Sequence, residues 1–323
     1  WRPIRLLEGT LGIDRLYLQD VHIVDNRPQT KTPFAFSWPR LSRLPAGLQG
    51  WVREFTAGRV RYTRLGESLL EPVDLTARIL WHHGSLTLSG LDVETLSLRG
   101  NGTTEAGFLR PRLKIDGTID LDNILGDFTH LAVVTDLDNA PSPEELAGTV
   151  SVRGRLGSGA QATFDGRIGL LRDRMDIPAF RLTYPAIAGD ATGQGMLVFG
   201  VAEPYLRVDS RLKEVGLKEN GASGIRAVGD LHVVANKSGY EGTFSILTRV
   251  KRPRTERWQA VNADGAVKGD WERCAIDVSN AAWLGGRVTG KVELAWSGRT
   301  FVTAKLHGRG FDPTYLSPEW TGQ

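Results

Sequence analysis

Apolar side chains recur at every second position through most of this 323-residue chain. No stretch of helical length repeats them at i, i+3, i+4 and i+7. Residues two apart share one face of a strand, whereas an amphipathic helix needs the other spacing. The pattern is clearest in Ile276 and Val278, in Val292, Leu294 and Trp296, and in Val302, Ala304 and Leu306. Asp277, Lys291, Glu293, Thr303 and Lys305 lie between them, so each run has a wet face and a dry face. Gly285-Gly286 and Ser297-Gly298 separate the runs, which predicts successive antiparallel strands. The expected fold class is all-β, a largely antiparallel sheet with little helix.

The same rhythm can be followed from the start. Leu16 and Leu18 share a stripe that Val21 and Ile23 continue after a slip at Gln19-Asp20, which predicts a β-bulge. Residues 27–50 hold Pro28, Pro33, Pro39 and Pro45 together with Phe34, Phe36 and Trp38. Proline removes ladder donors, so an edge or connector capping one end of a sheet is expected there. Alternation resumes at Leu75, Ile79 and Trp81, with a turn at His82-His83-Gly84. It continues through Leu86 and Leu88, then Leu96 and Leu98, then Leu113, Ile115 and Ile119. Residues 137–148 interrupt the pattern and read as a loop, with one helical turn begun by Ser142-Pro143. Val150 and Val152, Leu206 and Val208, Leu231 and Val233, and Phe244 and Ile246 follow; the last pair leads into the basic stretch Arg249–Arg257. A longer echo links Gly286-Arg-Val-Thr-Gly290 to Gly189-Asp-Ala-Thr-Gly193 and, more faintly, to Gly100-Asn-Gly102. Its spacing of roughly 90–100 residues predicts one repeat array, residues 1–323, with modules at 1–140, 141–222 and 223–323.

Composition removes several classes of function. Lys+Arg 40 against Asp+Glu 37 leaves a formal charge of +3, too balanced for the basic stripe of a nucleic-acid binder. The single cysteine, Cys274, forbids an intrachain disulfide and a cysteine-based zinc site, and its alternation with Ile276 and Val278 reads as a small buried apolar residue. Neighbouring residues of a strand point to opposite faces, so His82 and His83 do not converge on a metal without a turn. Asp116 and Asp120 could face each other like glycosidase carboxylates, but read as the wet face of a strand. Gly157-Ser-Gly159 lacks the third glycine and following helix of a dinucleotide site and reads as a turn. Asn101-Gly-Thr103 and Asn236-Lys-Ser238 match a glycosylation triplet that arises often by chance. No catalytic residue, metal or cofactor is expected. No run approaches the ~18–20 apolar residues of a membrane-spanning helix. The chain starts inside patterned sequence and stops after a turn signal, so a fragment of a longer protein is expected.

The closing stretch, Leu306-His-Gly-Arg-Gly-Phe-Asp-Pro-Thr-Tyr-Leu-Ser-Pro-Glu-Trp-Thr-Gly322, resembles a phrase of the TamB and AsmA-like family, in which a strand leads to Asp-Pro-x-x-Leu-x-Pro-Asp/Glu-Trp-x-Gly. Ile13-Asp-Arg-Leu-Tyr-Leu-Gln-Asp-Val21 is similar to the amino-proximal strands of the same family. The specific phrase covers Phe311–Gly322 alone, while the strand rhythm covers almost the whole chain. The resemblance implies an elongated sheet curled into a taco-like groove whose apolar concave face holds lipid acyl chains. It implies a periplasmic part of an inner-membrane-anchored protein that carries phospholipid between inner and outer membrane. It also implies help in assembling outer-membrane β-barrels with a barrel partner, TamA. The anchoring helix of the family is not in this sequence, and the family offers no catalytic motif to carry over.

Elementary energetics agree with such a role. A single amphipathic sheet must cover its dry face with a second sheet, with helices, or by curling. Helices are not expected, so a sandwich, a barrel or a groove remains. At ~0.8 kcal/mol per CH₂, drawing a ~16-carbon chain into water costs on the order of 12 kcal/mol, and a continuous dry trough avoids most of that. The alternating apolar residues named above, from Leu16 to Leu306, are the candidate groove lining. Arg252, Arg254 and Arg257 are candidate head-group contacts. Three readings stay open: a lipid-conducting groove, an assembly scaffold that pairs open sheet edges with client strands, and a β-sandwich ligand-binding module.

Overall fold

The structure, a computed structural model, describes residues 10–26, 35–39, 49–64, 67–68, 71–121, 128–140, 145–184, 187–217, 226–251, 258–270, 272–295 and 301–312. Strands dominate these residues and no helix occurs among them. The chain is all-β and mostly antiparallel, in two units, Trp1–Asp173 and Arg174–Gln323.

The first unit holds β1 (Thr10–Gln19), β2 (His22–Asp25), β3 (Gln49–Arg64), β4 (Glu67–Ser68), β5 (Val73–His82), β6 (Ser85–Glu94), β7 (Leu98–Gly107), β8 (Arg112–Leu121), β9 (Phe128–Asn139), β10 (Leu146–Leu156) and β11 (Gln161–Leu170). From β5 to β11 every strand pairs antiparallel with the next, and β5 also pairs with β3. β1 and β2 lie end to end along the other side of β3 and run parallel to it, an arrangement that alternation cannot distinguish from antiparallel pairing. Between them the side-chain phase slips at Asp20 as expected, but the expected bulge is not in this ladder: Gln19 pairs with Gly58 and His22 with Arg61, so β3 slips in step. The register shift falls instead between β3 and β5, at Ala57/Val60. Asp20 and Arg59 both take positive φ, 54° and 51°. The Asp20 N–H donates to Gly58 O at 3.0 Å. The Arg59 guanidinium meets the Asp20 carboxylate at 2.7 Å, and the Arg59 N–H donates to Asp74 at 2.7 Å. Left-handed backbone is uncommon outside glycine, and these three bonds hold it here.

The second unit holds β12 (Arg174–Thr183), β13 (Ile187–Val198), β14 (Tyr205–Leu217), β15 (Arg226–Asn236), β16 (Gly239–Lys251), β17 (Trp258–Gly269), β18 (Arg273–Trp283), β19 (Gly286–Ala295) and β20 (Phe301–Arg309). Each pairs antiparallel with the next in chain order. Among the described residues, β20 has β19 as its ladder partner and is exposed along its length. Within each unit the contacts between the described strands follow the ladders.

Several sequence expectations need correction. Leu96 is not on a strand: it lies in the turn between β6 and β7 and is 87% exposed. The interruption read at 137–148 is shorter, because Leu137 pairs with Gly148 and Asn139 with Leu146. Residues hydrophilic enough to read as loop belong there to the ends of two paired strands. The ladder runs on across residue 140, and β14 pairs with β15 on either side of 222; by contacts the chain divides into two units between Asp173 and Arg174.

Part of the proline-rich segment crosses one end of the first unit's sheet. Phe36 N–H donates to Arg172 O at 2.6 Å and Trp38 N–H to the Glu145 carboxylate at 2.7 Å. The Trp38 indole N–H donates to Gly107 O at 2.6 Å, and its ring stacks on Phe108, which stacks in turn on Trp81. These anchors lie at the same end of their strands as Leu137 and Leu146, which are 2% and 0% exposed, the deepest burial among the described residues.

Candidate functional site

Following the ladders sideways sorts the side chains into two faces. In the first unit one row runs Ile13, Val52, Ile79, Leu88, Thr104, Ile115, Thr135, Val150 and Gly166. A neighbouring row runs Leu18, Ala57, Leu75, Val93, Gly100, Ile119, Leu131, Gly154 and Ala162. In the second unit the corresponding row is Ile177, Gly195, Val208, Val233, Gly242, Val267, Ile276, Val292 and Ala304. Beside it runs Phe180, Gly193, Ser210, Leu231, Phe244, Gly265, Val278, Gly290 and Leu306. None of these rows contains a charged residue. Side chains two apart share a face, so along these rows each unit presents one uncharged face. In the first unit charge returns on that face at Asp25, at the end of β2 opposite Arg64 of β3.

The structure brings nearly all the candidate lining residues onto these faces. Leu16 and Leu18 oppose Phe55 and Ala57, and Val21 and Ile23 continue the stripe past the slip at Asp20 beside Val60 and Tyr62. Leu86 opposes Ala106, Leu98 opposes Leu121, Leu113 opposes Leu137 and Val152 opposes Phe164. Leu206 lies between Leu197 and Ala235, Ile246 between Gly229 and Ala263, and Leu294 between Cys274 and Val302. Leu96 is the exception, in its turn. Trp296, Arg252, Arg254 and Arg257 lie outside the described residues, as does most of the closing phrase from residue 313 onward. Reading by hydropathy missed Ile177 on β12 and all of β17, where Ala263, Gly265 and Val267 face the apolar side. Ala263 and Gly265 are too small to stand out from their neighbours, and the ladder position identifies the face of this strand.

The face is apolar yet not sealed. Along β5 the residues facing it, such as Leu75 and Ile79, are half-buried while Asp74, Thr76 and Arg78 are exposed. The same alternation holds on β16, where Gly242, Phe244 and Ile246 are half-buried between exposed neighbours. At β20, Val302 and Leu306 are 62% and 52% exposed. The few hydroxyls on this side include Ser210, whose Oγ donates to Thr192 O at 3.4 Å.

Glycines shape the same face, and the echo noted in the sequence acquires a geometric meaning. A Cβ added at Gly102, Gly193 or Gly290 would lie under 3.0 Å from a carbonyl oxygen of the following strand, that of Asp116, Asp209 or Lys305. At each site the next strand bows in over the apolar side, which a side chain would prevent. Gly290 also has φ +146, a conformation that other residues rarely adopt. Tyr240 and Cys274 meet this face across Gly269. Burial, with a hydrogen bond to Cys274, pushes the Tyr240 phenol up to about 12.

Most charges are collected on the opposite face, and many are paired there. Lys114 meets Asp136 and Arg112 meets Asp138, each at 3.2 Å, and Arg211 meets Asp230 at 3.3 Å. His130 Nδ1 lies 2.6 Å from Asp120, and His232 is hydrogen-bonded to Asp209 in the same cross-strand relation. The His232 bond holds the Asp209 carboxyl below its usual range, with Arg207 acting in the same direction and burial opposing. Asp120 is thus engaged with a histidine, and Asp116 stands opposite Thr103 on the same polar face. His82 and His83 sit at the β5–β6 turn with ring centroids 3.8 Å apart, and among the described residues no group of three potential ligands is placed to hold a metal.

Such a surface offers an apolar bed of one character from strand to strand. Nine strands at ~4.8 Å spacing carry that bed across roughly 38 Å of the second unit. Comparison with known protein families, curated proteins and solved structures returns no match.

Proposed function

We propose that the apolar face receives lipid acyl chains, and that the protein is a non-enzymatic bridge carrying phospholipid between the inner and outer membranes through the periplasm. The observation that supports it most directly is the absence of any charge from rows that cross nine paired strands while the same rows stay half-exposed. Contiguous apolar surface of that extent is seldom left to water and marks a place for an apolar partner. Hydrocarbon passing from a bilayer to such a bed stays out of water, so transfer needs no chemical step.

Native mass spectrometry of the purified protein tests this reading by detecting co-purified phospholipid. A photo-crosslinking residue at Val292 or Leu294 is expected to capture lipid, and one at Glu293, on the polar side, is not. Capture at Glu293 alone would reverse the face assignment; a lipid-free protein that takes up no lipid from vesicles would remove the function.

One observation favours a second reading, assembly of outer-membrane β-barrels. β20 is exposed along its length with β19 as its ladder partner, and an open edge can accept a client strand. Binding of an unfolded barrel protein by lipid-free protein, lost when a proline is introduced at Ala304, would favour it.

A further inference from the structure

Charged residues that oppose one another across these ladders are generally of opposite sign. Arg15 faces Glu54, Lys114 faces Asp136, Arg211 faces Asp230 and Lys268 faces Glu241, each within ion-pair distance. Three ladders depart from this: Asp74 opposes Glu94, Arg226 opposes Arg249, and the last pair of strands opposes like charges twice. Arg287 on β19 stands directly opposite Arg309 on β20, and Lys291 directly opposite Lys305. Like charges placed so are destabilising, and a sheet gains nothing from them in isolation. Lys291 is relieved by Glu293 at 2.8 Å. Arg287 and Arg309 have no acidic partner among the described residues.

The two arginines do not stand alone. Thr289 and His307 are the next opposed pair on the same side of the sheet. Arg287, Thr289, His307 and Arg309 line a groove of about 610 Å³ at this edge, which the Leu306 and Gly308 segment of β20 also borders. Directly opposed residues have Cβ atoms ~4.5–5.5 Å apart, so the guanidinium groups reach one common point above the sheet. Each presents a planar fork of donors that matches two oxygens of a phosphate, and Thr289 adds a hydroxyl donor.

We propose that this groove is a binding site for a phosphate-bearing anion, held between Arg287 and Arg309 with Thr289 and His307 beside it. An anion seated there replaces the repulsion by two charge-assisted contacts, which explains why the strands tolerate the opposed arginines. The site is on the polar side of the sheet and does not depend on lipid tails occupying the apolar face. The phosphate can belong to a lipid headgroup or to a soluble phosphate compound, and the test separates them.

Wild-type protein, Arg309→Gln and Arg309→Glu are compared with two probes. One is inorganic pyrophosphate, followed through the melting midpoint against sodium chloride of matched ionic strength. The other is sedimentation with vesicles of phosphatidylcholine, with and without phosphatidylglycerol. At about 1 kcal/mol per basic charge near an anionic surface, Arg309→Gln lowers vesicle affinity roughly fivefold and Arg309→Glu roughly thirtyfold. Without any anion, Arg309→Glu is expected to raise the melting midpoint, since it sets a carboxylate opposite Arg287; a purely structural role for Arg309 would lower it. If Arg309→Glu does not fold, Arg309→Gln carries the comparison. Capture by anionic but not neutral vesicles, graded across the variants, assigns the groove to headgroups. Pyrophosphate stabilisation without vesicle capture, lost in the variants, assigns it to soluble phosphates. No response to either probe beyond that to chloride, or the same response in wild type and variants, overturns the proposal. Tail binding on the apolar face is read separately from co-purified phospholipid, so either idea can fail alone.

Discussion

Replacing Ile276 by Asp places one carboxylate in the middle of the second unit's apolar face, between Val267 and Val292. Ile276 is half-buried, so in lipid-free protein the new carboxylate keeps much of its water. The expected cost to folding is the lost packing, on the order of 1–2 kcal/mol, below the range for a fully buried isoleucine. With hydrocarbon lying across the face the same carboxylate is cut off from water without a partner, and an unpaired polar or charged group in that position costs several kcal/mol. A penalty of ~3–4 kcal/mol corresponds to a loss of affinity of more than a hundredfold. Asp277→Val serves as the control: Asp277 points to the polar face and opposes Lys291, so its loss leaves the apolar rows intact. The assay is native mass spectrometry for bound phospholipid, with urea unfolding of the lipid-free protein beside it. Ile276→Asp should lose lipid while keeping most of its stability, and acidification should restore lipid by neutralising the carboxyl. Normal lipid occupancy in Ile276→Asp would refute the assignment of tails to this face. So would equal losses in Ile276→Asp and Asp277→Val.

Three further outcomes follow from the packing. Gly265→Val sets a side chain against Asp277 O and the Phe244 ring, and is expected to lower stability by at least ~1–3 kcal/mol in urea unfolding, with the second unit affected first. Trp38→Ala removes the indole bond to Gly107 O and the stack on Phe108, and is expected to cost about 2–4 kcal/mol and to speed amide exchange at Leu137 and Leu146. The Tyr240 phenol is raised from its ordinary 10.0 to about 12, so the folded state holds its proton more tightly than the unfolded state does. Its contribution is complete below pH 10 and is lost as pH rises towards 12, which a Tyr240→Phe variant should flatten in alkaline melts.

The glycine echo, the alternation and the opposed arginines bear on how far a repeated β-structure can be read before it is folded. Period-two hydropathy is a property of the backbone itself, because successive side chains of a strand must point to opposite sides. The class of fold, the side shared by Leu75, Val208 or Ile276 with its neighbours, the phase slip at Asp20 and the turn at His83 were therefore all legible in residue order. Leu96 was misread for the same reason: an apolar residue two before Leu98 fits the period although it lies in a turn. β17 was passed over because Ala263 and Gly265 carry too little apolar surface to register as one face of anything.

What only the tertiary structure decided is lateral. Whether β1 runs with or against β3, which residue faces which, and that Arg287 meets Arg309 all depend on strand register, fixed by contacts between residues far apart in the chain. Residue order alone settled that each strand would have a dry side. The ladders settled that the dry sides of neighbouring strands align in uncharged rows. They also settled that glycines such as Gly102, Gly193 and Gly290 stand where a neighbouring strand's carbonyl leaves no room for a side chain. Alternation is imposed locally by the geometry of an extended backbone, whereas alignment requires hydrogen bonds between strands, and no single strand encodes its partner's register.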